Sequence, residues 1–205
     1  MNQNALIIID LQNDFCPGGA LPVPEGDKII SVINKIMDRF YKVVATQDWH
    51  PENHISFAST HKKDVGDVVE INGIKQILWP KHCVQGSYGA QLHKELDIRK
   101  VDLILRKGTN PNIDSYSAFL ENDKKTQTGL HYWLKGLKIK KVYICGLALD
   151  YCVYYSACDA KKFGFETYVL LDATKGVDVP KGNIEKVLKH MRSIGIKIIN
   201  SKKIK

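Results

Sequence analysis

Ala5-Leu6-Ile7-Ile8-Ile9 is a near-continuous apolar run closed by Asp10. An apolar stretch without polar alternation, bounded by loop residues, reads as a β-strand buried on both faces, the kind that parallel sheets contain. The segments that follow agree with that reading. Residues 27–40 place Ile29, Ile30, Ile33, Ile36, Met37 and Phe40 at three- and four-residue spacing, with Asp27 in position to act as a helix N-cap. Residues 42–46 return to a strand, and residues 101–105 make the third strong one. Between them residues 47–91 are rich in loop formers, with a short strand at 68–71. Leu130, Trp133, Leu134 and Leu137 form a helical face, followed by a strand at 141–145. A helix over 150–163, begun by Asp150 and stopped by Gly164, leads to a strand at 166–171. A helix over 183–194 stopped by Gly195, and a last strand at 196–199, complete the series. Strand and helix alternate throughout, which predicts an α/β fold: three α/β/α layers around a mainly parallel, six-stranded sheet. No repeat or linker interrupts residues 1–205, so a single domain is expected.

Composition narrows the function classes. With 44% hydrophobic and 25% charged residues in 205, the chain matches neither disordered nor collagen-like sequences and carries enough apolar side chains for a sizeable core. Its net charge of +8 is lopsided: residues 1–100 carry 11 basic and 12 acidic side chains, residues 101–205 carry 19 and 10. That asymmetry raises nucleic acid as a partner class. The excess lysines, however, fall where cations are solvated or complement helix C-termini, such as Lys138, Lys140, Lys141, Lys161 and Lys162, and there is no aromatic-basic stripe. No nucleic-acid partner is therefore expected. The first residues lack a basic leader, and no stretch approaches the roughly 18 apolar residues of a membrane span, so a cytoplasmic protein without membrane association is expected. Cys16, Cys83, Cys145, Cys152 and Cys158 are odd in number and lack CxxC spacing, which argues against a disulfide framework and leaves thiol chemistry.

In parallel sheets ligands bind beyond the carboxyl ends of strands, so the residues just after each strand matter most. Asp10 follows the first strand, Asp48-Trp49-His50 the second, Lys107 the third, and Gly146-Leu147-Ala148-Leu149-Asp150-Tyr151-Cys152 the fourth. A cysteine in the first turn of a helix, near a lysine, favours the nucleophilic thiolate, and a strand-end carboxylate can take and return its proton. Taken singly, each of these is commonly structural: a buried small hydrophobe, a loop cap, a solvated cation. One carboxylate and two imidazoles, Asp48, His50 and His82, suit a divalent metal, with His54 as a further candidate ligand. Phe15, Trp79 and Tyr116 fall in loops at the same rim and can wall a pocket for a flat ring.

Taken together, Asp10-Leu11-Gln12-Asn13-Asp14-Phe15, Thr46-Gln47-Asp48-Trp49-His50-Pro51, Trp79-Pro80-Lys81-His82-Cys83-Val84-Gln85-Gly86, Arg106-Lys107-Gly108 with Asp114-Ser115-Tyr116-Ser117-Ala118-Phe119, and Gly146 to Val153 resemble the motif series of the nicotinamidases, a branch of the isochorismatase-like cysteine hydrolases. The resemblance runs from residue 5 to about residue 199. It implies the isochorismatase-like hydrolase fold, a catalytic triad of Asp10, Lys107 and Cys152, and one divalent metal ion on Asp48, His50 and His82. Zinc is the default metal, with iron or manganese as alternatives. It also implies a cis peptide before Ala148, an oxyanion hole from the backbone N–H groups of Ala148 and Cys152, and a pyridine pocket lined by Phe15, Trp79 and Tyr116. The implied reaction is hydrolysis of nicotinamide to nicotinate and ammonia through a thioester, in NAD salvage, with pyrazinamide as a second substrate. A homo-oligomer is left open. The stretches 59–76 and 109–112 read as variable loops, and the first leaves a fourth metal ligand, His54 or an acid such as Glu70, unassigned. Isochorismate hydrolysis or another small-amide hydrolysis is the alternative on the same fold. Isochorismate needs neither a thiol nucleophile nor a ring-binding metal, so Asp48, His50 and His82 favour the pyridine amide. A basic nucleic-acid-binding or scaffold protein on an inactive hydrolase fold is the alternative from another class.

Overall fold

A computed structural model describes residues 3–71 and 73–204. The chain start read above as lacking a basic leader includes Met1 and Asn2, which lie outside the described residues, as does Asn72 within the stretch 59–76.

The opening apolar run becomes β1 (Asn4–Ile9), buried along its whole length. Its residues alternate between two cores, as the two-residue period of a strand requires. Ala5, Ile7 and Ile9 pack in one with Leu130, Leu134, Ala157, Ala160, Val187 and Met191; Leu6 and Ile8 pack in the other with Ile29, Ile30 and Ile33. The first set of partners belongs to α3 (Leu130–Gly136), α4 (Tyr154–Lys162) and α5 (Asn183–Ser193), whereas Ile30 and Ile33 belong to α1 (Ile30–Ile36). Three layers result, with helices on both faces of the sheet.

Among the described residues the main sheet has six strands: β1, β2 (Lys42–Asp48), β5 (Leu103–Lys107), β6 (Lys141–Leu147), β7 (Glu166–Lys175) and β8 (Lys197–Ile199). Their spatial order is β5-β2-β1-β6-β7-β8 and every pairing is parallel. The chain thus builds outward from β1 through β2 to β5, then returns to β6 on the other side of β1. The boundary between β1 and β6 is a topological switch point, where strand order reverses and a crevice opens beyond the strand ends.

Gly146 makes that junction tight. It pairs with Ile9, has φ of +105°, and a Cβ placed on it would overlap the Ile9 backbone. Gly146→Ala is therefore expected to destabilise the fold by about 3 kcal/mol, read as a lower midpoint in chemical denaturation with unchanged slope.

Several local expectations need correction. The helix expected over 27–40 is a short α1 flanked by tighter 3-10 turns at Gly26–Ile29 and Met37–Arg39, and Asp27 makes no capping hydrogen bond. The third strand starts at Leu103 rather than 101; at Asp102 the backbone amide donates to the Val43 carbonyl at 2.8 Å, while the carboxylate accepts from the Val43 amide at 2.8 Å and from Lys42 at 2.5 Å. The strand expected at 68–71 is present as β3 (Val68–Ile71), but the stretch 59–76 around it is not otherwise loop: it overlaps a short α2 (Ala58–His61), and β3 pairs in an antiparallel hairpin with β4 (Ile74–Ile77). Asp150 does not cap a helix: Leu149–Val153 form a wide π-helical turn ahead of α4, and its carboxylate is engaged elsewhere.

Candidate active site

Four segments deliver polar side chains to the crevice. Asp10 follows β1 with φ of +46°, its amide donating to Thr46 Oγ1 at 3.0 Å while that hydroxyl donates back to Asp10 Oδ1 at 2.6 Å. Its other oxygen, Oδ2, lies 2.9 Å from Lys107 Nζ. Lys107, the last residue of β5, is 1% exposed and also donates to Asp48 Oδ1 at 2.5 Å and to the Ser115 carbonyl at 2.8 Å. The Sγ of Cys152, in the π turn after β6, is 3.7 Å from the same ammonium. Asp10, Lys107 and Cys152, far apart in sequence, therefore meet as expected, and Lys107 joins them to Asp48.

Burial decides the proton positions. Water exclusion raises the Asp10 carboxyl to about 6 against the opposing pull of Lys107. Burial opposes charge on Lys107 too, but Asp10 and Asp48 outweigh it and hold the ammonium protonated well above its usual range. The Cys152 thiol is pushed well up by burial, with Lys107 only partly offsetting this. Burial thus works against the thiolate that a helix start and a lysine favour in the sequence reading, and the neighbouring Asp10 carboxylate is a group that can take the proton, as that reading has it.

Next to this triad, ligand-capable atoms of Asp48, His50 and His82 lie within 4.8 Å of one another, all buried. The hydrogen bonds of the two rings suit a cation. His50 Nδ1 contacts the Gly108 carbonyl at 2.8 Å and His82 Nδ1 contacts the Pro80 carbonyl at 2.7 Å. A carbonyl only accepts, so each Nδ1 carries the hydrogen and each Nε2 is left for a proton or a metal ion, the usual arrangement of a ligating histidine. Burial opposes charge on His50, but Asp48 outweighs it and raises that ring's affinity for a proton, a place a divalent ion would take instead. Burial, reinforced by His50, lowers His82 to about 4 and keeps it neutral. Burial also opposes charge on Asp48, but Lys107 and His50 hold its carboxyl below the usual carboxylate range. An anionic oxygen and two imidazole nitrogens fit a borderline divalent ion.

The open question of a fourth ligand resolves against both candidates. His54 stacks on His50 at 4.0 Å, and its ligand atoms fall near those of His50 and Asp114. Its Nε2, however, contacts the Ile113 carbonyl at 3.3 Å, and its Nδ1 is engaged by the Ser56 hydroxyl at 2.7 Å. Glu70 is exposed on the β3–β4 hairpin.

A cavity enclosing about 470 Å³, open mouth included, leads to Cys152, Asp48 and His82. Phe15, Trp79 and Tyr116 line it as expected, with Trp79 Nε1 donating to the Tyr116 hydroxyl at 3.0 Å. Ala148 lines it as well, and the Leu147–Ala148 peptide is cis. Sequence reasoning missed the remaining wall, Leu21, Val23, Asp114, Tyr151 and Val177. It also missed Gln12, whose amide pairs with both backbone groups of Asp48 at 2.8 Å. Gln12, Asp114 and Tyr151 stand within the quoted motifs, which was their only signal; Leu21, Val23 and Val177 had none.

A buried thiol beside a carboxylate and a lysine, at the strand ends of a parallel sheet, is equipped for acyl transfer through cysteine. The profile of the isochorismatase domain matches residues 4–203, and the chain belongs to that family. Within it, the chain is 48% identical over 204 residues to the nicotinamidase of Acinetobacter baylyi, covering 99% of this chain and 95% of that protein. The solved structure of the Acinetobacter baumanii nicotinamidase/pyrazinamidase superposes with a TM-score of 0.97 at 46% identity, covering 100% of this chain and 99% of that one. The pyrazinamidase of Pyrococcus horikoshii, solved in complex with zinc, superposes with a TM-score of 0.77 at 42% identity, covering 97% and 99%. No helix among the described residues is long and apolar enough to cross a membrane.

Proposed function

We propose that this chain is a single-domain nicotinamidase that hydrolyses nicotinamide to nicotinate and ammonia, and accepts pyrazinamide, whose ring and carboxamide match in shape. The observation that carries the reading is the convergence of Asp10, Lys107 and Cys152 at the inner end of a cavity walled by aromatic rings. The activity of the relatives supports it. Phe15, Trp79 and Tyr116 hold the flat heteroaromatic ring and keep bulk water from the thiol. Asp10 takes the Cys152 proton as sulfur attacks the carboxamide carbon, and the backbone N–H groups of Ala148 and Cys152 stabilise the developing oxyanion. Lys107 stays charged and balances the two carboxylates. Asp10 then gives the proton to the departing nitrogen, so that ammonia leaves and a thioester remains. In the second half Asp10 accepts a proton from water attacking the thioester carbonyl, and returns it to sulfur as nicotinate forms. Asp48, His50 and His82 would hold one divalent ion, zinc by default, which would supply Lewis-acid chemistry beside the ring. The protein serves NAD salvage in the cytoplasm, a location that its free cysteines suit.

The test is release of ammonia and nicotinate from nicotinamide by purified, metal-replete protein, run beside isochorismate. Turnover of isochorismate alone, or of neither compound, would overturn the reading. Dialysis against a chelator is expected to remove about one divalent ion per chain and most of the activity, with recovery on adding zinc. Full activity in protein shown to be metal-free would remove Asp48, His50 and His82 from this role.

A further inference from the structure

Residues 176–182, between β7 and α5, contribute Val177 to the wall of the ring cavity yet belong to neither the triad nor the metal set. Their attachment is concentrated on the turn that carries the nucleophile. Asp150, 2% exposed, directs both carboxylate oxygens to this segment: Oδ1 accepts from the Val177 amide at 3.0 Å and Oδ2 from the Asp178 amide at 3.0 Å. Asn183 Nδ2 lies 3.3 Å from the same Oδ2. The Tyr151 hydroxyl donates to the Val179 carbonyl at 2.5 Å while its ring lines the cavity. Position 176 is glycine, where a Cβ would stand only 2.8 Å from Asp150 Oδ1. Charge-assisted bonds from one buried carboxylate to two successive amides fix the backbone on both sides of Val177. Lys107, by contrast, directs its ammonium to Asp10, Asp48, Ser115 and Cys152.

On the reading that the cavity binds a heteroaromatic carboxamide, we propose that Asp150, with Tyr151, is a positioning residue that docks residues 176–179 against the nucleophile turn and makes Val177 the gauge of ring substituents. The substrates admitted are unsubstituted six-membered heteroaromatic carboxamides, and a methyl group on the ring meets Val177. The segment is hydrogen-bonded to Asp150 and Tyr151 rather than to Asp10, Lys107 or Cys152, so loosening it changes chiefly which ring enters and how tightly it binds.

Hydrogen exchange tests the clamp without any substrate. The Val177 and Asp178 amides are expected to exchange at least about tenfold faster in Asp150→Ala than in the unaltered protein, with β1 and β6 amides unchanged. Equal protection in the two proteins would overturn the clamp. If Asp150→Ala fails to fold, Tyr151→Phe, which loses only the hydroxyl, carries the same measurement, with faster exchange over residues 176–179 expected and unchanged exchange overturning. Kinetics test the gauge. Asp150→Asn is expected to raise KM for nicotinamide about tenfold with kcat within about threefold. Val177→Ala is expected to raise kcat/KM for 5-methylnicotinamide relative to nicotinamide by about tenfold, and Asp150→Asn to move that ratio the same way. A collapse of kcat at unchanged KM in Asp150→Asn, or a ratio that neither variant moves, would overturn the role in specificity. If the unaltered protein does not hydrolyse nicotinamide, the functional reading fails while the exchange result still decides the clamp.

Discussion

Cys152→Ala is expected to reduce nicotinamide turnover by about 10⁴-fold or more, to the background set by binding alone. The side chain is small, 6% exposed and packed in the core on one face of the sheet, so the variant should fold and bind the ring as before. Loss should therefore appear in kcat. The comparison with Cys152→Ser sharpens the expectation. An oxygen nucleophile there needs the same base but is far harder to deprotonate, so serine should not restore activity. Mass spectrometry of the unaltered protein quenched during turnover should show the acyl adduct on the peptide containing Cys152, and the alanine variant should show none. Substantial turnover by Cys152→Ala would remove the thiol from the reaction.

Asp10→Asn is expected to cost about 10³- to 10⁴-fold in kcat, the scale of a lost general base. The substitution keeps the shape and leaves Oδ1 able to accept from Thr46. What it removes is the carboxylate that takes the thiol proton in the proposed reaction, since burial works against a Cys152 thiolate while Asp10 and Asp48 keep Lys107 charged. The same carboxyl sets the acid limb of the pH profile. Its value is raised to about 6, so the basic form predominates above that pH, and kcat/KM should rise with pH through about 6 and level off. In Asp10→Asn this limb should vanish along with most of the rate. A profile identical to that of the unaltered protein, with only a small drop in rate, would assign the base elsewhere.

The layer order and the polar rim were legible because both follow from local patterns. Apolar runs such as Ala5 to Ile9 mark buried strands, and the residues that close them point at the crevice in any parallel sheet. The errors arose where a distant segment competed for a polar group. Asp150 reads as an N-cap in isolation, but amides some 27 residues later claim its carboxylate. Asp102 extends a strand on local grounds, yet the Lys42–Val43 segment of β2 takes both of its oxygens. The electrostatics of Cys152 meet the same limit, since a helix start and a lysine are visible in sequence whereas burial of the side chain is not. Val177 carried no signal at all and Gln12 only its place in the first motif, because the backbone contacts each makes are created by the fold.

The switch point between β1 and β6 also governs when activity can emerge during synthesis. Strand β1 is made before the other strands of its sheet, yet its register partners on one side run from Lys141 onward, so Asn4 waits for a residue well past the middle of the sequence. Such non-local pairing is slow and leaves an apolar strand uncovered in the interim. The nucleophile arrives with that same late strand. A nascent chain therefore has a hydrophobic liability long before it has a thiol in place, and β7, β8 and the Val177 wall follow later still.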